Sequence, residues 1–80
     1  MKEPLQKIRI EWGDITFYNG QYFEESAKNL KIRNFITEGF LIEEDNEKVI
    51  IALTIEIDGE EGVIDVYVFP RGCIKKLSYY

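Results

Sequence analysis

The 80-residue chain has no histidine, one cysteine and two prolines. Without imidazole it lacks the side chain that titrates unperturbed near neutrality, and with it the commonest general base and nitrogen metal ligand. Cys73 alone forms neither an internal disulfide nor a thiolate cluster. Packing must therefore hold the domain together, which suits a reducing compartment. No apolar run approaches the roughly 18 residues of a membrane span, and the opening Met1-Lys2-Glu3-Pro4 has no apolar signal region. The expectation is a soluble, cytoplasmic protein with no membrane association.

Length sets the next bound. A chain this short is read as a single domain over residues 1–80. Domains near this size bury about 60% of the surface that their unfolded chains expose. Most of the 45% hydrophobic residues are then expected to serve one small core, with little left for a cleft. No enzyme activity, cofactor, metal or small-molecule substrate is expected.

Net charge is −5, unevenly placed: residues 1–33 carry +1, residues 34–69 carry −9 and residues 70–80 carry +3. A phosphate-backbone binder needs a basic stripe, so nucleic-acid binding is disfavoured; its residues would be Arg71, Lys75 and Lys76 with Lys7 and Arg9. The acidic block is read as solvated hairpin tips. The alternative is an acidic mimic that inhibits a host nucleic-acid-binding protein.

Twelve isoleucines, four valines and eleven aromatics favour pleated, half-buried surfaces. Alternation predicts strands over 6–13, 34–43, 47–57, 63–69 and 73–79. Asn19-Gly20 marks a hairpin or a loop within 14–22. Residues 23–30 read as one or two helical turns, with acids first and Phe23, Ala27 and Leu30 on one face. Glu44-Asp45-Asn46 and Asp58-Gly59-Glu60-Glu61-Gly62 are the predicted turns, and Pro70-Arg71-Gly72 interrupts the fourth strand. The predicted fold is mainly β: a small, five-stranded, strongly bent antiparallel sheet or partly open SH3-like barrel with one short helical insertion. Gly39 marks a sharp bend.

Glu43, Glu44, Asp45 and Glu47, with Asp58, Glu60 and Glu61, supply hard oxygen ligands, but neither run has the spacing of a calcium-binding loop. Paired carboxylates on open tips have no wall to raise a pKa for acid–base work. Cys73 follows Pro70-Arg71-Gly72; with no histidine to activate it, it is expected to pack between strands as a small hydrophobe. Trp12 is expected in the core. Tyr18, Tyr22, Tyr67, Tyr79 and Tyr80 are candidates for a shallow aromatic binding surface, Tyr79 and Tyr80 being the most exposed. With Glu43, Glu44, Asp45, Glu60 and Glu61 they form the candidate partner-binding set.

Motif order adds a resemblance. Trp12-Gly13-Asp14, Tyr22-Phe23-Glu24-Glu25-Ser26-Ala27, Ile36-Thr37-Glu38-Gly39-Phe40-Leu41-Ile42-Glu43-Glu44-Asp45, Val49-Ile50-Ile51-Ala52 and Val68-Phe69-Pro70-Arg71-Gly72-Cys73-Ile74-Lys75-Lys76-Leu77 follow one another. The chain resembles, over residues 8–77, small uncharacterised phage and prophage proteins with a Trp-x-Asp … Gly-aromatic … Pro-Lys/Arg-Gly-x-Ile pattern. Tyr22 stands where a first-loop tryptophan is usual. The resemblance brings no catalytic residues. It implies an accessory protein of the host-cell cytoplasm that binds a protein partner or forms a homo-oligomer.

Overall fold

Ile8, Ile10 and Trp12 alternate with charged residues, and this pattern forms strand β1 (Lys7–Gly13). The computed structural model describes residues 5–58 and 62–80. After β1 come one helical turn α1 (Glu24–Ala27) and strands β2 (Asn34–Glu44), β3 (Lys48–Ile55) and β4 (Val63–Pro70). A 3₁₀ turn (Arg71–Cys73) then leads into β5 (Ile74–Tyr79). The strands make one antiparallel sheet in the order β4-β3-β2-β1-β5, which is not closed: β4 and β5 are its edges. The expected mainly β architecture is thus observed, with strand limits close to those predicted. The predicted turn over 58–62 falls partly outside the described residues, as do Glu60 and Glu61.

Two irregularities bend the sheet. The ladder between β1 and β5 shifts register between Glu11 and Trp12, and that between β2 and β3 shifts between Leu41 and Glu43. An extra residue on one strand sharpens local twist and coils the strand. Gly39 lies near the second shift, and a Cβ built on it would stand 2.8 Å from the Ala52 carbonyl oxygen and 3.1 Å from Ile51 Cδ1. Only a residue without a side chain lets β3 approach that closely. Pro70 ends β4 at a sheet edge, where its missing amide leaves no inner ladder bond unmade.

The bent sheet folds Ile8, Ile10, Val49, Ile51 and Phe69 into one buried cluster, with Trp12, Leu41, Ile74 and Leu77 packed around it. Each fully buried aliphatic or aromatic side chain stabilises the fold by about 1.5–3 kcal/mol. Trp12, expected in the core, lies at its rim: its ring centroid is 4.8 Å from Phe35 and 5.3 Å from Phe69. Its indole N–H donates to Thr37 Oγ1 (2.9 Å).

The core is much smaller than the sequence implies. Among the described residues only six hydrophobic side chains are buried, whereas nineteen large ones are exposed. The expectation that most hydrophobic residues serve one core is therefore wrong. The helical turn shows why. The predicted face of Phe23, Ala27 and Leu30 needs two turns packed on the sheet. The helix instead has four residues, closed by the Ala27 amide on the Phe23 carbonyl (2.9 Å), and buries nothing. Phe23 is 86% exposed, as are Ile15 (95%) and Phe17 (85%) on the same connection. Asn19-Gly20 forms a loop within it, Gly20 taking φ +105°. The accessible surface is 6432 Å², against roughly 5,000 Å² for a folded monomer of 9.4 kDa. The radius of gyration is 16.9 Å, against about 12 Å for a compact chain of this length.

Candidate functional site

Four of the predicted site residues meet at one end of the sheet. The Tyr79 hydroxyl bonds both Glu44 carboxylate oxygens (2.9 and 2.7 Å), and Arg71 Nη2 donates to Glu44 Oε1 (3.2 Å). Arg71 Nε donates to the Asp45 carbonyl (2.7 Å), and the Arg71 amide donates to the Glu47 carbonyl (2.9 Å). Strand β5, the 3₁₀ turn and the β2–β3 turn are thereby fastened together across the open side of the sheet. Glu44 and Asp45 were expected to be free turn acids. They are instead the acceptors of this clasp, because the 3₁₀ turn brings Arg71 back over them.

Asp45 also organises its own turn. Its carboxylate accepts the Glu47 and Lys48 amides (2.8 and 2.9 Å) and lies 3.1 Å from Lys48 Nζ. These donors, the two amides above all, hold its pKa at about 2 against an ordinary 3.8. A depressed carboxylate pKa contributes stability that is present above the unfolded value and lost as pH falls through the folded one. We expect the urea midpoint to drop between about pH 4 and about pH 2, and Asp45→Asn to flatten that slope. An unchanged slope in the variant would exclude this origin. The Tyr79 hydroxyl shifts the other way, above its ordinary 10.0, chiefly because it donates to Glu44. Its contribution is present below that value and lost as pH rises through the folded one.

The remaining candidates are dispersed. Tyr18 and Tyr22 donate to the carbonyls of Lys31 (2.8 Å) and Asn19 (3.1 Å) on the β1–β2 connection. Tyr80 donates to Glu38, and Tyr67 stacks on Phe69 at 5.9 Å. Glu43 stands across from Ile50 in the ladder. The basic residues form no stripe: Arg71 is in the clasp, Lys7 lies 5.8 Å from the Phe40 ring, Arg9 pairs in register with Glu38 and Lys76 with Glu11. Lys75 lines a depression with Glu11, Trp12 and Phe35. Cys73, expected between strands in the core, sits half-buried in the 3₁₀ turn, beside a shallow depression lined by Trp12, Tyr67 and Phe69. No His, Cys, Asp or Glu group among the described residues is arranged to hold a metal ion. No helix there is long and apolar enough to cross a membrane.

Sequence reasoning missed a second surface. Ladder partners share a face, so Ile50↔Val68, Ala52↔Val66 and Thr54↔Ile64 form three uncharged rows on the side of the sheet opposite Val49 and Ile51, with Ala52 fully buried and Ile50 half-buried among them. On that same side β1 and β5 present Lys7, Arg9, Glu11, Lys76 and Ser78, with Phe40, Glu38 and Ile36 of β2 as the ladder partners of the first three. One half of the outer face is thus charged and the other aliphatic. Val66 and Val68 remain 47% and 58% exposed. The signal was legible as a run with apolar residues at both alternating positions of 63–69, the pattern of a strand covered on two faces. The chain matches no known protein-family model, no curated protein and no solved structure.

Proposed function

We propose that this protein is a non-catalytic accessory module of phage or prophage type, with an SH3-like barrel, that acts by binding protein through its apolar surface. The single observation that carries the reading is that surface: nineteen exposed large hydrophobic side chains among the described residues, set against six buried ones. Monomers rarely leave so much apolar area in water, and such patches mark surfaces used in association. The strand order and the 3₁₀ turn before the last strand support the SH3-like description. The resemblance in motif order supports the phage setting and a host-cytoplasmic location.

The nucleic-acid reading loses ground because its five basic residues are interleaved with acids and aromatics. Light scattering on a sizing column, together with affinity capture from phage-infected cells, tests the proposal. We expect a self-assembled species or a specific, stoichiometric partner. An inert monomer in both measurements would overturn it.

A further inference from the structure

We propose that the depression between Trp12 and Tyr67 seats an arginine side chain of a protein partner, with Asp14 as its counter-charge. This rests on the protein-binding reading above and adds to it one residue type that the partner must present.

Strand alternation brings the rings together. Trp12 follows Ile8 and Ile10 at every second position of β1, and Tyr67 and Phe69 stand two apart on β4, so each pair of neighbours along a strand points the same way. Their rings form a corner. The planes of Trp12 and Phe69 meet at 64° with centroids 5.3 Å apart, and Tyr67 extends the Phe69 wall, 5.9 Å away and tilted by 32°. Phe69 is itself buried, whereas Tyr67 is 43% exposed. Gly13 ends β1, and the next residue, Asp14, borders the corner together with Pro70 and Cys73. The enclosed depression measures about 260 Å³.

Charge selects the occupant. Asp14 is the only charged residue lining the depression. Its Oδ1 accepts the Ile15 amide (2.7 Å), and among the described residues no cation is ion-paired with it. Aromatic faces carry a negative potential that attracts cations, and the carboxylate adds to it. The adjoining depression shows this chemistry already engaged. It shares Trp12 and Asp14 but also holds Phe35 and Arg33, and there the chain supplies its own guanidinium, 5.7 Å from the Phe35 ring centroid. Lys75 lies with Glu11 and Phe35 in a third depression. On the Tyr67 side no basic residue lines the space. Arginine suits that space better than lysine, because its guanidinium is flat and weakly hydrated, stacks on a ring and keeps in-plane donors for a carboxylate. A quaternary ammonium needs rings on several sides. An open corner of two walls leaves such a group half in water.

Trp12 is the only tryptophan, so its fluorescence reports on the site. The probe is the capped tripeptide acetyl-Gly-Arg-Gly-amide, compared with the same tripeptide carrying citrulline, which has nearly the shape of arginine and no charge. The arginine probe is expected to give a saturating response in the millimolar range, and the citrulline probe to bind about tenfold more weakly. Asp14→Asn keeps an Oδ1 acceptor for the Ile15 amide and removes only the charge. It should weaken the arginine probe by about threefold and leave the citrulline probe unchanged. Tyr67→Leu should weaken the arginine probe by a similar factor. Circular dichroism establishes that the variants are folded, and the comparison of the two tripeptides on wild type needs no variant. Amide shifts then locate the probe, with Trp12, Asp14, Tyr67 and Cys73 expected to move. No response to arginine, equal binding of the two tripeptides, or shifts that cluster at Glu43 to Glu47 overturns the seat, whatever affinity capture returns. A captured partner that binds Asp14→Asn undiminished also overturns it and leaves the protein-binding reading intact. An inert monomer that captures nothing overturns that reading, whatever the tripeptides do.

Discussion

Ile51→Ala is expected to lower the unfolding free energy by about 2–5 kcal/mol. Ile51 is fully buried, paired in register with Leu41 and Tyr67, and belongs to a cluster of only five buried side chains. Truncation removes the transfer energy of the lost methyl and methylene groups. It also leaves a void that few neighbours can fill, since the ladder fixes the backbones on either side. A domain of this length has about 4–12 kcal/mol in total, so the variant stands near the edge of folding. Urea unfolding at matched protein concentration measures it, with matching needed because association raises apparent stability. The paired control is Ile15→Ala, on an exposed connection, where the change should stay within about 0.5 kcal/mol. A loss at Ile51 no larger than at Ile15 would mean that the core lies elsewhere.

Gly39→Ala is the second large effect, and it acts through the backbone. The nearest atom to the added Cβ is the Ala52 carbonyl oxygen at 2.8 Å, with Ile51 Cδ1 next at 3.1 Å. A methyl at the end of a flexible side chain can move aside. The Ala52 backbone cannot move cheaply, because it is tied into ladders with β2 through Phe40 and with β4 through Val66. The expected cost is about 1–3 kcal/mol, which for a domain of this size is about 5–20 °C in Tm. Gly72→Ala, where nothing lies within 4 Å of the new Cβ, should leave Tm nearly unchanged. Ile51→Val, which removes Cδ1, should not rescue Gly39→Ala. A rescue would place the clash on the side chain and not on the strand.

These two residues also show how far the sequence could be read. Alternation over 47–57, around Ile51, located β3, because period-two patterning is a local property. Gly39 was legible as a bend for a similar reason: glycine inside a strand, between runs of residues with side chains, often marks a sharp bend or a close backbone approach. The clasp was not legible. Arg71 and Glu44 are 27 positions apart, and only the path of the 3₁₀ turn brings them together. Nor could alternation say what covers a second apolar face. Val66 and Val68 read the same whether the chain's own helix or a second molecule lies on them. The one turn at Glu24–Ala27 was legible because its charges follow the dipole pattern, but that pattern costs nothing to satisfy on an isolated turn and does not say what the turn packs against.

Asp65 has a consequence for how the exposed edge behaves. It is the only charge on β4, takes φ +58° in mid-strand, and its step is missing from the ladder between Ala52↔Val66 and Thr54↔Ile64. Among non-glycine residues aspartate tolerates that left-handed conformation comparatively well. Fibre growth by strand templating needs an unbroken run of about six or seven adherent residues. At Asp65 the edge turns its backbone out of line and sets a carboxylate there, which leaves stretches shorter than that on either side. The edge strand can therefore stay aliphatic along Ile64, Val66 and Val68 while denying an arriving stray strand a continuous seam to copy.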